Sequence, residues 1–309
     1  MANIGYIQIT RDCNQDCRFC SNPPSGRGDL EFEKVKKLVD SYIKKDYEEV
    51  ILTGGEPTLH KDLPKIISYC KKNNFPARII TNGQKIADEE YLRKLIDAGL
   101  KNIHLSIYSH TEVQNRLTNN KDSLQKIRES LDNLSEFNID LNINTVINKK
   151  NADHLSDLVK FLINNYPSIN HFVFNNLDPR SERAQNNKDT IPDLTDFEVE
   201  LHKALKSLEE KEVTFRVERV PLCYMPEFEY SSTETRKIVK NEVRPIQFLD
   251  EKEALIQRNF FYNKPEKCKK CSLNSICAGL YSMKESYSPE ELAPVFISKE
   301  KIVQKVLRT

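Results

Sequence analysis

Short β-branched and aliphatic runs alternate with amphipathic stretches through the first two thirds of the chain. In residues 30–44 apolar side chains recur at the three- and four-residue spacing of one helix face, at Val35, Leu38, Val39 and Tyr42. Applied along the chain, the two periodicities predict a series of alternating elements. Predicted strands cover residues 4–10, 49–52, 77–81, 102–107, 140–147, 171–174 and 213–217, and predicted helices cover 30–44, 62–72, 88–98, 123–137, 154–164 and 196–210.

Strict alternation of strand and helix implies a parallel sheet with right-handed crossover connections. Six β/α units are fewer than the eight of a closed barrel, which usually needs about 250 residues. We therefore predict an α/β fold, a partial (β/α)6 TIM-type barrel over residues 1–215, with its site at the carboxyl ends of the strands. Residues 216–309 are less regular and contain four cysteines, which predicts a small C-terminal domain. Asp88 and Gly99 are suited to begin and end the helix over 88–98.

The 309 residues carry 47 Lys and Arg against 46 Asp and Glu, a net charge of +1, and neither sign is gathered into a tail. This balance argues against an electrostatically driven nucleic-acid binder. No stretch approaches the ~18 consecutive apolar residues of a membrane span, and the first ten residues lack the features of a secretory signal. We expect a soluble, cytoplasmic protein without nucleic-acid or membrane partners.

Seven of the eight cysteines fall in two spaced groups, which favours metal ligation over disulfides. The first group, Cys13, Cys17 and Cys20, has the spacing C-x3-C-x2-C and directly follows the first predicted strand. Three thiolates suit three corners of a four-iron cluster and leave one iron open to a small molecule. A zinc site completed by a distant His or Cys is the alternative. The lone cysteine, Cys70, is predicted to be a core thiol on a helix.

A second segment, Gly54-Gly55-Glu56-Pro57, follows the second predicted strand. Its glycines let the backbone approach a ligand closely, and its Glu can accept hydrogen bonds from an ammonium group. Together with the C-x3-C-x-aromatic-C loop, in which Phe19 is the aromatic residue, this segment resembles the signature of the radical S-adenosylmethionine (radical SAM) superfamily. The resemblance covers about residues 4–215.

The resemblance implies a [4Fe-4S] cluster held by the three N-terminal cysteines, whose open iron chelates the amino and carboxylate groups of S-adenosylmethionine. It implies that residues 54–56 contact the methionine ammonium, and that a 5′-deoxyadenosyl radical formed by reductive cleavage abstracts hydrogen from the substrate. The further cofactor contacts that it implies are Phe19 and Leu177 beside the adenine, Thr81 and Ser106 at strand ends, and Asn142 or Asn144 on the fifth strand. Ordinary turn chemistry accounts for Thr81 equally well.

The second cysteine group is formed by Cys268, Cys271 and Cys277, with Cys223 upstream. Four thiolates complete either a [4Fe-4S] cluster without an open iron or a tetrahedral zinc site. The segment resembles the SPASM and Twitch auxiliary-cluster domains of radical SAM enzymes. Because Tyr281 stands where the longer SPASM pattern has a further cysteine and none follows, the resemblance implies one auxiliary [4Fe-4S] cluster.

These resemblances predict an enzyme that oxidatively modifies a substrate by hydrogen abstraction, with an electron donor such as flavodoxin or ferredoxin as partner. A peptide is the first choice of substrate. A dehydrogenase or rearrangement enzyme acting on a small metabolite is the alternative, because the first predicted strand begins at residue 4 and leaves no room for a peptide-recognition domain ahead of it. A non-catalytic zinc-binding protein is the alternative from another class.

Overall fold

The computed structural model describes residues 4–22, 28–242, 244–247, 255–257 and 262–308. Its described strands form a nine-stranded sheet in the order β7-β6-β5-β4-β3-β2-β1-β8-β9 and a separate two-stranded pair. The strands of the large sheet are β1 (Ile4–Thr10), β2 (Glu49–Gly54), β3 (Ala77–Thr81), β4 (Asn102–Ser106), β5 (Asp140–Ile147), β6 (Ile169–Asn176), β7 (Thr214–Glu218), β8 (Arg244–Gln247) and β9 (Leu255–Gln257). The antiparallel pair is β10 (Tyr262–Asn263) and β11 (Leu280–Tyr281).

Helices pack on the outer face of the sheet, and two more, α9 (Thr233–Lys240) and α10 (Lys299–Arg308), follow β7 in the chain. Those before β7 are α1 (Phe32–Lys44), α2 (Leu63–Lys72), α3 (Glu89–Ala98), α4 (Val113–Thr118), α5 (Ser123–Ser135), α6 (Leu155–Asn165), α7 (Glu182–Asn186) and α8 (Leu194–Glu210). None of the helices described is long and apolar enough to cross a membrane.

The predicted α/β partial barrel is confirmed. Strands β1 to β8 run parallel to one another and form a curled half-barrel. Strand β9 pairs antiparallel with β8 at the edge. The helix predicted over 88–98 is observed as α3, whose first turn is capped by the Asp88 carboxylate and which ends at Gly99 with φ +115°. A left-handed residue is needed at that position, and glycine adopts it without strain.

Strand β8 was not expected from the sequence. It lies beside β1, so a segment from beyond residue 215 completes the sheet at the edge opposite β7. The predicted domain boundary at 215/216 falls inside β7, and the division of the chain into two domains stays a prediction. Helices α4, α7, α9 and α10 were also missed, because α4, α7 and α9 are short and α10 buries only Ile302 and Val306.

The two faces of the sheet differ in polarity. Facing the helices are residues such as Ile103 and Leu105 of β4, which belong to the main hydrophobic core. The opposite face lines the inside of the half-barrel, since side chains alternate along a strand. Near the carboxyl ends of β4 to β7 that inner face carries a polar row, defined by Ser106, Asn144, Asn175 and Glu218.

Candidate active site

The three N-terminal cysteines lie on the loop after β1, at the carboxyl end of the half-barrel. The loop is attached to the strand ends on one side and to α4 on the other. The Gly55 N–H donates to the carbonyl of Thr10 at 2.9 Å, and the Glu56 N–H donates to that of Asp12 at 2.7 Å. On the other side, the Arg18 N–H donates to the carbonyl of Leu117 at 3.0 Å. Backbone hydrogen bonds therefore attach the cysteine loop both to the strand ends and to α4.

Gly54 and Gly55 are required by this attachment. A Cβ added to Gly54 would lie 2.1 Å from the carbonyl oxygen of Thr10, and one added to Gly55 would lie 2.2 Å from that of Asp12. Backbone atoms cannot yield at such distances without moving the loop. The two glycines thus allow the end of β2 to approach the cysteine loop directly. From the sequence, these glycines were expected only to let the backbone approach a ligand.

The Glu56 side chain is the centre of a buried hydrogen-bond network. Its Oε1 accepts from the Thr58 N–H at 3.0 Å, from the Thr58 hydroxyl at 2.6 Å and from the Thr81 hydroxyl at 2.6 Å, and its Oε2 accepts from the Asn82 N–H at 2.7 Å. Burial raises the pKa of Glu56, whereas the hydrogen bonds from Asn82, Thr58 and Thr81 act in the opposite direction. The carboxylate therefore joins the ends of β2 and β3, and Pro57 begins the short 3-10 helix that it caps.

Asn82, which follows β3, connects this network to the cysteine loop. Its amide donates to Asn14 Oδ1 at 2.8 Å and lies 3.8 Å from the sulfur of Cys13. The cofactor contact predicted from the sequence is the neighbouring Thr81, and it stays a prediction. The signal for Asn82 was the run Thr81-Asn82-Gly83 at a strand end, which is also typical of an ordinary turn.

The three thiols of the loop are half-buried and close enough to affect one another. Burial raises the pKa of Cys13 to about 11, with a further upward contribution from the charge of Cys20. Burial likewise raises the pKa of Cys17 and Cys20. Three neighbouring thiolates at this site would need a compensating cation. A bound metal would supply that charge, and its binding would release the thiol protons.

The donor set fits an iron-sulfur cluster. Three thiols from one loop suit three iron corners, and the Asn22 N–H lies 3.4 Å from the sulfur of Cys20, a contact of the type that tunes such clusters. Among the residues described, no group of three or more His, Cys, Asp or Glu side chains is placed to hold a single metal ion.

A small apolar cluster covers the other side of the loop. Phe19 and Leu177, both predicted to contact adenine, pack together in this cluster with Tyr108, Leu117 and Ala184. The rings of Phe19 and Tyr108 meet edge to face with 4.9 Å between their centroids. Tyr108 was not among the predicted cofactor contacts. Burial raises its pKa, and the Ser106 side chain is a hydrogen-bond partner, so Tyr108 links the apolar cluster to the polar row.

The two asparagines of β5 are separated by the structure. Asn144 accepts a hydrogen bond from the Asn175 amide at 2.8 Å and belongs to the polar row near the cysteine loop. Asn142 lies at the beginning of β5 and donates to Asn102 Oδ1 at 2.9 Å. It lines a cavity of about 420 Å³ at the amino ends of the strands, away from the cysteines. The structure therefore does not bring Asn142 to the predicted cofactor site, because the site lies at the other end of the strand.

The four C-terminal cysteines meet beyond the end of β7. Cys223 lies in the 3-10 turn Leu222–Tyr224, and together with Cys268, Cys271 and Cys277 it lines a single narrow pocket. The Val295 N–H points at the sulfur of Cys271, and the Gly279 N–H points at that of Cys277, both at 3.3 Å. Burial raises the pKa of Cys223 to about 11. Four thiols around one pocket, with N–H groups directed at two sulfurs, fit a fully ligated cluster.

Residues 7–162 match the Radical SAM superfamily. The chain belongs to this superfamily. The match contains the cysteine loop and the Gly54–Pro57 segment, whose geometry is described above. Membership implies a [4Fe-4S] cluster and S-adenosylmethionine as cofactors.

Among curated proteins, the radical SAM chain is similar to the GTP 3′,8-cyclase of Aquifex aeolicus, with 32% identity over 166 residues, which are 51% of this chain and 52% of that protein. It is also similar to the Fe-coproporphyrin III synthase of Methanosarcina barkeri, with 30% identity over 147 residues, 47% of this chain and 37% of that protein. The chain thus spans about half the length of the curated relatives it matches, or less.

Solved radical SAM structures match over nearly the whole chain. SuiB of Streptococcus suis bound to S-adenosylmethionine has a TM-score of 0.65 at 18% identity, covering 94% of this chain and 76% of that one. The structure of anSMEcpe with bound AdoMet has a TM-score of 0.67 at 16% identity, covering 99% and 96%. At these identities the likeness concerns the fold.

Proposed function

We propose that this radical SAM enzyme cleaves S-adenosylmethionine reductively at Cys13, Cys17 and Cys20 and oxidatively modifies a peptide. The cluster, when bound, supplies the electron for cleavage, and the 5′-deoxyadenosyl radical so formed takes a hydrogen atom from the substrate. The observation that carries the proposal is the convergence of the cysteine loop, the end of β2 and Asn82 within direct hydrogen-bond contact.

The chain's own residues orient the cofactor and exclude water. In the proposal, the backbone at Gly54 and Gly55 receives the methionine ammonium, and the Glu56 network holds that backbone rigid. Phe19 and Leu177 offer an apolar surface to the adenine, and Ser106 and Asn144 line its inner side. Most of these groups are buried or half-buried on strand ends, so the geometry is set before the cofactor arrives, as a reactive radical requires.

We assign Cys223, Cys268, Cys271 and Cys277 to one auxiliary [4Fe-4S] cluster of the SPASM/Twitch type. A cluster with four protein ligands has no open iron, which leaves electron transfer and structural support as its roles. In an oxidative reaction the substrate radical has to lose an electron after hydrogen abstraction, and a cluster held by these four cysteines would supply a nearby acceptor for it. An external donor such as flavodoxin or ferredoxin supplies the first electron, and the cytoplasm is the compartment that keeps these thiols reduced.

The peptide assignment is supported by full-length fold similarity. One anSMEcpe structure that matches 99% of this chain contains a bound peptide, at 16% identity and a TM-score of 0.67. Three members of the polar row, Asn144, Asn175 and Glu218, provide hydrogen-bonding groups of the kind that a peptide backbone uses. A small metabolite is the second candidate, because the relative at 32% identity is named for the cyclisation of GTP.

The test is cofactor cleavage by anaerobically purified protein. With dithionite, the wild-type protein should bind iron and sulfide and release 5′-deoxyadenosine, whereas Cys17→Ala should release none. Cys70→Ala is the matched control, because Cys70 is a buried core thiol on α2, as predicted, and far from both cysteine groups in sequence. Stoichiometric zinc without iron in the wild-type protein, or cleavage at the wild-type rate by Cys17→Ala, would overturn the proposal.

A further inference from the structure

Two arginines connect the cysteine loop to the segment after β6. Arg18 donates to Asn187 Oδ1 at 3.1 Å and to Asp189 Oδ1 at 2.9 Å. Arg183, on α7, donates to the Asp16 carboxylate and to the carbonyl of Cys17, the latter at 3.2 Å. Both contacts join positions more than 160 residues apart in the chain.

The two arginines differ in what they contact. Arg183 donates to the main-chain carbonyl of Cys17, a predicted cluster ligand, at 3.2 Å. Arg11 is a second cation near the loop, and its Nη1 donates to Asn22 Oδ1 at 3.1 Å. Arg18 instead extends toward Asn187 and Asp189, so its guanidinium is held by the segment after β6.

Arg183 has two partners on the cysteine loop, the Asp16 carboxylate and the Cys17 carbonyl. Its side chain is 25% exposed and that of Asp16 is 57% exposed, and Asp16 also accepts a hydrogen bond from the Asn119 amide at 3.1 Å. Arg183 is therefore a cation in direct contact with the backbone of a predicted cluster ligand.

We propose that Arg183 raises the reduction potential of the cluster held by Cys13, Cys17 and Cys20, and that the charge of Asp16, its ion-pair partner, lowers it. One-electron reduction adds a negative charge to a centre that already bears thiolates. A nearby fixed cation stabilises the reduced form, and a nearby anion destabilises it, since charge and hydrogen bonding around such clusters set their potentials. The inference rests on the cluster ligation stated under the proposed function.

The test removes the two opposite charges of the Arg183–Asp16 ion pair, one at a time. Arg183→Gln removes the cation and should shift the midpoint potential to more negative values. Asp16→Asn removes the anion and should shift it to more positive values. The double variant should lie between the two single variants, because the two charge changes oppose each other. Arg183→Lys keeps the charge and should restore a potential near that of the wild type.

The measurement is an anaerobic redox titration followed by electron paramagnetic resonance, on the reconstituted full-length protein. The signal that changes on addition of S-adenosylmethionine identifies the relevant cluster. Arg18→Gln is the matched control: it removes the other contact between the loop and the segment after β6, and the potential should stay unchanged. Iron content, measured in parallel, reports whether each variant retains its clusters.

A purely mechanical role for the contact has a different signature. It predicts that Arg183→Gln and Asp16→Asn both lose iron, or that both leave the potential unchanged or shift it in the same direction. Loss of iron from both variants, or either of these patterns of potential in variants that keep their iron, would overturn the inference and leave the proposed function intact. Should Arg183→Gln fail to load, Asp16→Asn decides, and an unshifted potential there would also overturn it. A wild-type protein without any signal that responds to S-adenosylmethionine would overturn the proposed function itself.

Discussion

The hydroxyl of Thr81 donates a hydrogen bond of 2.6 Å to Glu56 Oε1, so the ends of β2 and β3 are joined through two buried side chains. Three more protein donors occupy the same carboxylate. The Glu56 side chain is thus fixed by four protein hydrogen bonds that connect the elements of the site. Any contact that it makes with the methionine ammonium would be made from this fixed position.

Glu56→Ala should lower both protein stability and affinity for S-adenosylmethionine. The substitution leaves buried donors at Thr58, Thr81 and Asn82 without their acceptor, and each hydrogen bond to a buried charged group contributes about 1.5–3 kcal/mol. Chemical denaturation and equilibrium binding measure the two effects. Glu210→Ala, at the exposed end of α8, is the control and should change neither. An unchanged dissociation constant for Glu56→Ala would limit Gly54–Pro57 to a structural turn.

Gly55→Ala should reduce the iron retained by the N-terminal cysteines. The new Cβ would lie 2.2 Å from the carbonyl oxygen of Asp12, so the cysteine loop has to move away from β2. Gly28→Ala is the matched control, because Gly28 has a φ of +67° but no atom within 4 Å of an added Cβ. It should lose about 1 kcal/mol of stability through backbone strain and keep its iron. Equal iron content in the two variants would contradict the close-contact argument.

The two asparagines of β5 should differ in their effect on cofactor binding. Asn144→Ala removes a member of the polar row beside the site and should weaken binding of S-adenosylmethionine several-fold. Asn142→Ala changes the amino end of the same strand and should leave binding unchanged. Titration calorimetry on both variants checks this, and a larger loss for Asn142→Ala would reverse the assignment.

Replacing Cys271 and Cys277 together by Ala should lower iron from about eight to about four per chain, because each cluster has its own cysteine group. Cleavage of S-adenosylmethionine should continue in this variant, since Cys13, Cys17 and Cys20 are unchanged. Product formation should fail without the electron acceptor. Mössbauer spectroscopy and product assays decide the point: full product yield with half the iron would exclude a role for the auxiliary site in turnover.

Acidification should destabilise the fold through His104. Burial, followed by the charge of Arg78, lowers its pKa from 6.5 to about 3, and Arg78 Nη1 lies 2.9 Å from Nε2, as expected for a neutral ring accepting a hydrogen bond. The unfolded chain therefore binds the extra proton first, so stability is lost as the pH falls from about 6.5 toward 3. By pH 5 the loss amounts to about 2 kcal/mol.

Comparing the pH dependence of the free energy of unfolding of the wild type with that of His104→Gln isolates this effect, because the contributions of the other titrating groups are common to both proteins. The variant should lose less stability than the wild type between pH 7 and pH 5 in urea denaturation. Identical pH dependence in the wild type and His104→Gln would show that His104 is not buried in neutral form.

Local patterns in the sequence determined most of the barrel. The alternation of Ile7 and Ile9 with polar neighbours, and the three-four spacing on α1, depend only on nearby residues and on which side meets the core. The cysteine loop and the Gly54–Pro57 segment were likewise recognisable, because each is continuous in the chain. Strand ends in a parallel sheet meet at one edge, so their proximity followed from the fold class.

Tertiary contacts decided what remained. The sequence does not indicate that β8 pairs with β1, because a short strand from the irregular C-terminal region acquires its place only through a partner more than 200 residues away. Nor does it show that Asn82 reaches Asn14, or that Arg183 rather than Arg18 lies beside the cysteines. These relationships depend on distances between side chains from separate elements, which periodicity and motif spacing leave undetermined.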